Sequence, residues 1–261
     1  MNKTIHRESK TSAKIYDDRT LEKDYATLVP FLKKGLRVLD VGCGTGAISR
    51  DIAERVGPTG YVIGIDNTEA FITSGKVTYK EVSNLALFHV DLFEFSAKDK
   101  FDLIVAARVL QWLNNPVDAM LKMKSLLKPG GTLSVLDYNH TAIEWRPQPP
   151  RSMEIFYESF LRWRAAAGMN NAMAEDLEDY FTQLEFQQVE AYPANEIYKK
   201  GDANFIQRIG IWSKVAGLKQ IADEGYVENE LRLKAIEEYN HWIESDAECM
   251  TMKLNEVRGR I

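Results

Sequence analysis

Hydrophobic positions between residues 36 and 138 fall into short β-prone runs that alternate with longer amphipathic stretches. This order is typical of βαβ units, in which helices connect the strands of a parallel sheet. The runs are apolar at consecutive positions, as expected for strands that helices cover on both faces. The pattern predicts a doubly wound α/β fold with strands over 36–41, 61–65, 86–90, 101–106 and 132–138.

Helical patterns fill the connections between these strands. They predict helices over 46–56, 69–82 and 117–127, the last ended by Pro129-Gly130-Gly131. Ahead of the first strand, apolar residues share one face of a predicted helix over 21–32. After residue 140, a turn rich in proline and aromatic residues precedes predicted helices over 153–183, 203–216 and 228–242 and strands over 186–192 and 250–256.

Composition narrows the possible partners of the chain. Its 261 residues are 45% apolar, which is enough for one large domain or a domain and a half. The 33 Lys and Arg against 38 Asp and Glu give a net charge of -5, which disfavours nucleic acid and anionic membranes as partners. Cys43 and Cys249 have no companions at metal-ligand spacing, so neither a metal site nor a disulfide framework is expected. The chain shows no signal-like apolar core and no run of roughly 20 apolar residues, which predicts a cytoplasmic protein.

A glycine-rich loop, Asp40-Val41-Gly42-Cys43-Gly44-Thr45-Gly46, joins the first predicted strand to the helix that follows. Glycine has no Cβ and tolerates unusual torsions, so such a loop brings backbone close to a nucleotide. Taken alone the signal is ambiguous, because Gly42, Gly44 and Ala47 also satisfy the looser fingerprint of dinucleotide-binding proteins.

Three acids near strand ends separate these possibilities. Asp40 would repel a pyrophosphate, whereas S-adenosylmethionine (SAM) carries no phosphate and has an ammonium group that an acid can match. Asp66 can accept both ribose hydroxyls of either cofactor. Asp91, with apolar neighbours Leu92 and Phe93, favours an adenosyl ligand. The alternatives are that Asp66 and Asp91 only cap helices and that Asp40 pins the loop through backbone N–H groups.

The motifs together resemble those of class I SAM-dependent methyltransferases in order and spacing. They are Val38 to Gly46, Gly64-Ile65-Asp66, Val90-Asp91, Phe101-Asp102-Leu103-Ile104 and Leu127-Lys128-Pro129-Gly130-Gly131. The resemblance implies a Rossmann-like, mostly parallel sheet of seven strands with helices on both faces. It also implies that the last strand, over 250–260, is antiparallel and lies beside the fifth. Helical insertions are expected after strands five and six.

Within that family the chain is most similar to the small-molecule group typified by ubiquinone/menaquinone and trans-aconitate methyltransferases. The segment Arg108-Val109-Leu110-Gln111-Trp112-Leu113 resembles one that lines the methionine end of the cofactor, although Trp112 could equally be a core residue. Tyr16 resembles an aromatic residue that folds over the cofactor. The implied cofactor contacts are Tyr16, Asp40, Gly42, Cys43, Gly44, Gly46, Asp66, Asn67, Asp91, Leu92, Phe93, Arg108, Gln111 and Trp112.

The resemblance also suggests how the chain is divided. Residues 1–34 would form a helical cap over the cofactor, and 141–183 a helical lid over the substrate. The SAM-binding core would comprise 35–140 and 184–261, with a helical insertion over 203–247.

Candidates for the acceptor side follow the fifth predicted strand. His140 is placed to act as a general base, an interpretation that rests on its position after the strand; the alternative is a solvated or structural histidine. Trp145 lies on the next loop. Tyr157, Trp163 and Arg164 could form an aromatic lid with one positive charge, or could be core residues.

The sequence therefore predicts transfer of a methyl group from SAM to an O, N or C atom of a small molecule, with S-adenosylhomocysteine as product, by a monomer or homodimer. The chain has no Asn/Asp-Pro-Pro-aromatic tetrad after the fourth strand, which disfavours methylation of DNA bases or protein amides. The alternatives are an RNA- or protein-directed methyltransferase and a non-catalytic module that binds SAM or NAD.

Overall fold

The computed structural model describes residues 19–261 and contains two compact units. We call the first the sheet unit, which comprises 19–137, 173–194 and 255–261. The second is the insert unit, which comprises Tyr138–Ala172 and Asn195–Leu254. Tyr16 lies outside the described residues.

The sheet unit is built on parallel strands that follow the apolar runs of the sequence. The strands are β1 (Arg37–Val41), β2 (Tyr61–Asp66), β3 (Leu85–His89), β4 (Phe101–Ala107), β5 (Leu127–Arg146), β6 (Gln187–Pro193) and β8 (Cys249–Arg260). They occur in the order β3-β2-β1-β4-β5-β8-β6, and β8 pairs with β6 in antiparallel orientation.

Helices cover the sheet, and their apolar sides join the strands in one core. Strand residues such as Leu39 and Ile104 are fully buried beside Met120 and Met123 of the helix after β4. Burial of a side chain of this size contributes roughly 1.5–3 kcal/mol. The helices of this unit are α1 (Leu21–Asp24), α2 (Ala47–Val56), α3 (Glu69–Thr78), α4 (Pro116–Leu126) and α6 (Met173–Gln183), with 3₁₀ helices over Ala26–Phe31 and Leu110–Trp112.

The insert unit contains the end of β5, the start of β8 and most of the helical insertions. The long helix α5 (Arg151–Ala166) packs against α10 (Asn229–Ser245). The indole N–H of Trp145 donates to the Tyr239 hydroxyl at 3.3 Å. A short strand, β7 (Glu196–Lys199), pairs with β8 in antiparallel orientation. The elements are α5 (Arg151–Ala166), β7 (Glu196–Lys199), α7 (Phe205–Ile209), α8 (Ile211–Ala216), α9 (Gln220–Asp223) and α10 (Asn229–Ser245).

The predicted Rossmann-like fold is confirmed, and most of the predicted strands agree with the structure to within one or two residues. Two predicted helices were wrong. The helix over 21–32 is a four-residue helix followed by a 3₁₀ helix that contains Pro30, whose ring and missing N–H disfavour a continuous α-helix. The helix over 203–216 is two short helices, α7 and α8, which meet at Gly210.

Other elements differ from the prediction in extent or were not predicted. The helical pattern over 153–183 forms two helices separated at Gly168, which has a φ of +78°. Strand β5 is longer than the predicted 132–138. Helix α9 and strand β7 were not predicted, and β7 is the eighth strand of the sheet.

Between residues 19 and 261, none of the helices combines the length and the hydropathy needed to cross a lipid bilayer.

Candidate functional site

The glycine loop presents bare backbone where β1 passes into α2. Gly42 is exposed and has a φ of +68°. A Cβ at this position would lie 2.5 Å from Cγ2 of Val109, which follows β4. Gly46 has a φ of +85°, and a Cβ there would lie 2.9 Å from the Leu87 side chain. Both positions therefore exclude any larger residue, and the loop can approach a ligand closely.

Asp66 fixes this loop to the end of β2. One of its carboxylate oxygens accepts the Gly44 N–H at 2.9 Å, and the other accepts the Thr68 N–H at 2.8 Å. The Ile65 carbonyl accepts the N–H groups of Gly42 and Cys43 at 2.8 and 3.0 Å. A carboxylate has about four lone-pair sites, so Asp66 retains acceptor capacity for ligand hydroxyls.

Asp40 is buried in β1 and is 4% exposed. Its carboxylate accepts the Ser49 hydroxyl at 2.6 Å. The pKa of Asp40 is raised to about 7 by burial, which is the largest effect, and by the nearby Asp66 carboxylate, while the Ser49 hydrogen bond acts in the opposite direction and lowers it. The sequence left two roles open for Asp40: to contact the ligand, or to pin the loop through backbone N–H groups. In the structure its carboxylate accepts a hydrogen bond from a side-chain hydroxyl, that of Ser49.

Asp91 and its neighbours follow β3, which lies next to β2 in the sheet. Asp91 is exposed and accepts the Phe93 N–H at 2.8 Å. The Phe93 ring is 45% exposed, Leu92 is half-buried, and Asn67 is exposed after β2. Because β1, β2 and β3 are adjacent and parallel, Asp40, Asp66 and Asp91 lie at the same edge of the sheet.

The segment after β4 packs directly on this edge. Arg108 has a φ of +61°, an unusual conformation for a residue with a side chain. Its N–H donates to the Leu136 carbonyl at 2.6 Å, and its guanidinium donates to the Asp24 carbonyl at 2.9 Å. The Gln111 N–H donates to the buried Asp137 carboxylate at 3.0 Å. Trp112 is half-buried.

Cys43 lies in the loop beside these acids. Burial, with the negative charges of Asp40 and Asp66, raises the pKa of the Cys43 thiol well above its usual range. The thiol therefore keeps its proton at neutral pH. Within the described 243-residue stretch from 19 to 261, no group of three or more His, Cys, Asp or Glu side chains could hold a metal ion.

The insert unit holds the residues predicted for the acceptor. His140 is buried, with its ring 5.3 Å from that of Tyr138, 5.8 Å from Phe160 and 6.0 Å from Trp212. Burial and the positive charge of Arg164 lower the pKa of His140 well below its usual range. The imidazole is therefore a weak base with little access to solvent.

The predicted lid residues also lie inside the insert unit. Trp145, Tyr157, Trp163 and Arg164 are all buried. The Tyr157 hydroxyl donates to the His140 carbonyl at 2.6 Å, and the Arg164 Nε donates to the Asn171 amide oxygen at 2.8 Å. These contacts agree with the core alternative that the sequence left open.

Several residues that contact the predicted site were not themselves predicted as contacts. They are Ser49, Asp24 and Asp137, together with Val109, which lies in the segment over 108–113 that the sequence singled out. Of the first three, Ser49 alone had a signal, as a polar residue on the buried face of the helix after a glycine loop.

The parallel sheet, its glycine loop and the acids at the ends of adjacent strands define a nucleotide-binding α/β protein. A family described as methyltransferase domain matches residues 32–201, and the chain belongs to this family. The predicted membership of a methyltransferase family is thereby confirmed.

Part of this chain is similar in sequence to known proteins. Demethylmenaquinone methyltransferase from Staphylococcus aureus is 36% identical over 107 residues, which are 41% of this chain and 44% of that protein. The chain therefore covers less than half the length of the curated relatives it matches.

Solved structures share the fold at low sequence identity. Phosphoethanolamine N-methyltransferase 2 from Haemonchus contortus, in complex with phosphomonomethylethanolamine and S-adenosylhomocysteine, aligns with a TM-score of 0.62 and 15% identity over 98% of this chain and 58% of that chain. The cyclase SpnF aligns with a TM-score of 0.55 and 19% identity over 95% of this chain and 79% of that chain. These similarities support the fold.

Proposed function

We propose that this protein is a SAM-dependent methyltransferase that acts on an O, N or C atom of a small cytoplasmic molecule. The proposal is supported by the family, by the fold shared with a methyltransferase that binds S-adenosylhomocysteine, and by the edge of the sheet where the glycine loop lies.

One observation supports this function above the others: two neighbouring acids at the loop have no positive partner. Asp40 and Asp66 influence each other electrostatically. Among residues 19–261, neither forms an ion pair with Lys, Arg or His. A cationic ligand would relieve this repulsion, whereas the pyrophosphate of a dinucleotide would increase it. SAM brings an ammonium and a sulfonium against a single carboxylate, so its net charge is positive and matches the site.

The residues present fit SAM in their chemistry as well as in charge. Gly42 exposes backbone that carries no side chain, and the left-handed torsions of Gly42 and Gly46 bend the loop between β1 and α2. Asp66 would accept ribose hydroxyls while it holds Gly44, and Asp91 with Phe93 would hold the adenine. SAM supplies, when bound, a methyl group on a sulfonium that is already a good leaving group. The chain's own task is then to align the acceptor and exclude water.

The acceptor side is assigned from the position of the insertions in the chain. We assign the helical insertions, over 141–183 and 203–247, to acceptor binding, and residues 1–34 to covering the cofactor. The matched Staphylococcus aureus enzyme is named for a quinone substrate, which supports a small-molecule acceptor for this chain.

Calorimetry tests the cofactor. SAM and S-adenosylhomocysteine should bind the full chain with micromolar or tighter affinity, and NAD should not bind. Asp66→Ala should abolish binding, while Asp179→Ala, which changes an exposed residue on α6, should leave it unchanged. NAD binding without SAM binding would contradict the proposal and support the dinucleotide alternative.

Turnover needs its own measurement, because SpnF is a cyclase with the same fold. The protein is incubated with methyl-labelled SAM and a small-molecule metabolite extract, bulk RNA or bulk protein. Label should appear in the small-molecule fraction. Label in RNA or protein would support a macromolecule-directed enzyme, and SAM binding without transfer to any fraction would support a non-catalytic module.

A further inference from the structure

Ser49 connects the two elements that flank the glycine loop. It is the third residue of α2 and is fully buried. Its hydroxyl donates to Asp40 of β1 at 2.6 Å. This hydrogen bond therefore links β1 to α2 across the loop over residues 42–46.

The groups around Asp40 make this hydrogen bond important. Asp66 at the end of β2 adds a second negative charge. Tyr25, after α1, and Cys43, in the loop, are the other titratable groups that interact with Asp40, and both keep their protons because burial raises the pKa of each. The Ser49 hydroxyl is thus the group in the described chain that favours the charged form of Asp40.

We propose that Ser49 is a positioning residue for the cofactor: its hydroxyl holds the Asp40 carboxylate in the charged form that a cationic ligand requires and keeps β1 and α2 in register across the loop. This inference rests on the proposed function, because it takes SAM as the ligand. Because Ser49 is fully buried, we assign it to positioning and not to direct contact with SAM.

A pH dependence of binding follows from this arrangement. The pKa of Asp40 is about 7 in the protein without ligand, and a cation favours the ionised carboxylate, so SAM binding releases a proton. Affinity for SAM should therefore rise as pH increases from 6 to 8. The Ser49 hydrogen bond lowers the pKa of Asp40. Without this bond the pKa should be higher, so the rise in SAM affinity should occur at higher pH.

The test compares four proteins by calorimetry with SAM at pH 6, 7 and 8. Ser49→Ala should weaken binding at pH 7 by up to roughly 10- to 100-fold, the range that corresponds to one hydrogen bond to a charged group, and should shift the pH profile upward. Ser49→Thr keeps a hydroxyl and should restore the wild-type profile. Ser159→Ala removes another buried helix hydroxyl, which bonds to the Ile155 carbonyl in the insert unit, and should behave like wild type.

Each outcome decides between defined possibilities. An unchanged pH profile in a folded Ser49→Ala protein would overturn the role of Ser49 and leave the methyltransferase proposal intact. Failure of the wild-type protein to bind SAM would overturn both. Should Ser49→Ala fail to fold, Asp40→Asn provides the second measurement: weak binding that is constant from pH 6 to 8 supports the inference, and a wild-type pH profile refutes it.

Discussion

The Asp66 carboxylate accepts the N–H of Gly44 at 2.9 Å and thereby joins the end of β2 to the middle of the glycine loop. Its second oxygen accepts the N–H of Thr68 just ahead of α3. One side chain thus shapes the loop and the entry to the following helix. The same group is expected to accept the ribose hydroxyls of the cofactor, so structure and binding depend on one residue.

Replacement of Asp66 should therefore reduce both stability and affinity. Asp66→Ala removes two backbone hydrogen bonds to a charged group, and we expect the free energy of unfolding to fall by about 2–4 kcal/mol. SAM affinity should fall by at least roughly 100-fold, since each factor of ten needs only about 1.4 kcal/mol. Urea unfolding and calorimetry measure the two effects. A protein with normal stability and normal SAM affinity would contradict both roles.

Replacement by alanine should destabilise the protein more at Gly42 than at Gly130, which has a similar left-handed backbone but open space around it. Gly42→Ala combines a left-handed backbone with a Cβ 2.5 Å from Val109, whereas Gly130 has a φ of +77° with no atom within 4 Å of its added Cβ. We expect Gly130→Ala to cost about 1–2 kcal/mol of unfolding free energy, and Gly42→Ala to cost more. Val109→Ala in the Gly42→Ala background should recover part of the difference. Equal costs in urea unfolding would show that the contact with Val109 is unimportant.

A buried ion pair supports the β8 side of the sheet unit. Both Arg258 and Glu256 are buried, with Nε and Nη2 of the arginine at 2.6 Å from the two carboxylate oxygens. The guanidinium carbon lies 3.4 Å from the centre of the Phe31 ring and 4.2 Å from that of Tyr192. Arg258→Ala leaves a buried carboxylate without its partner and should cost about 3–5 kcal/mol.

The double change Glu256→Gln with Arg258→Met is the control for that substitution. It removes both charges at similar volume, so its cost in thermal and urea unfolding should be smaller than that of Arg258→Ala. A double variant less stable than Arg258→Ala would show that the charges themselves stabilise the fold.

His140 should make the protein sensitive to mild acid. The pKa of His140 is lowered in the folded protein, whereas in the unfolded chain it is near 6.5. The unfolded state therefore binds a proton first, and stability is complete above pH 6.5 and decreases as pH falls below it.

Substitution tests this account of His140. Wild-type protein should lose about 2 kcal/mol of unfolding free energy through this group between pH 7 and pH 5. His140→Phe keeps an aromatic ring among Tyr138, Phe160 and Trp212 and should lose less, while His241→Gln, on the exposed surface of α10, should follow wild type. A strong loss of methyl transfer in His140→Phe with an unchanged stability profile would instead support a general base.

The sequence was sufficient for the sheet because its strands are covered on both faces. Continuous apolar runs such as Val62 to Ile65 are consistent with few other structures, and the glycine loop and Pro129-Gly130-Gly131 mark the turns between them. Strand β7 has only four residues, of alternating exposure, which is too short a pattern to predict a strand. It forms a strand because it pairs with β8, a contact distant in sequence. Pro30 argues against a continuous helix over 21–32. The prediction gave more weight to the helical spacing of the apolar residues than to this proline.

The site was predicted where a motif is local and missed where it depends on tertiary contacts. Asp40 and Asp66 stand at fixed distances from the glycines, so the sequence alone indicated them. The partner of Asp40, by contrast, is determined by how α2 packs on β1, and no spacing rule identifies Ser49. The aromatic residues near His140 were ambiguous for the same reason, because only packing shows that Tyr157 and Trp163 are buried.

If the protein binds SAM as proposed, the reactivity of the Cys43 thiol matters, because SAM is an alkylating agent. A thiolate beside an electrophilic methyl donor would attack it and inactivate the protein by self-alkylation. Burial and two adjacent carboxylates keep the Cys43 sulfur protonated, and a protonated thiol is a poor nucleophile. The same negative charges that attract a sulfonium thus protect the loop from it.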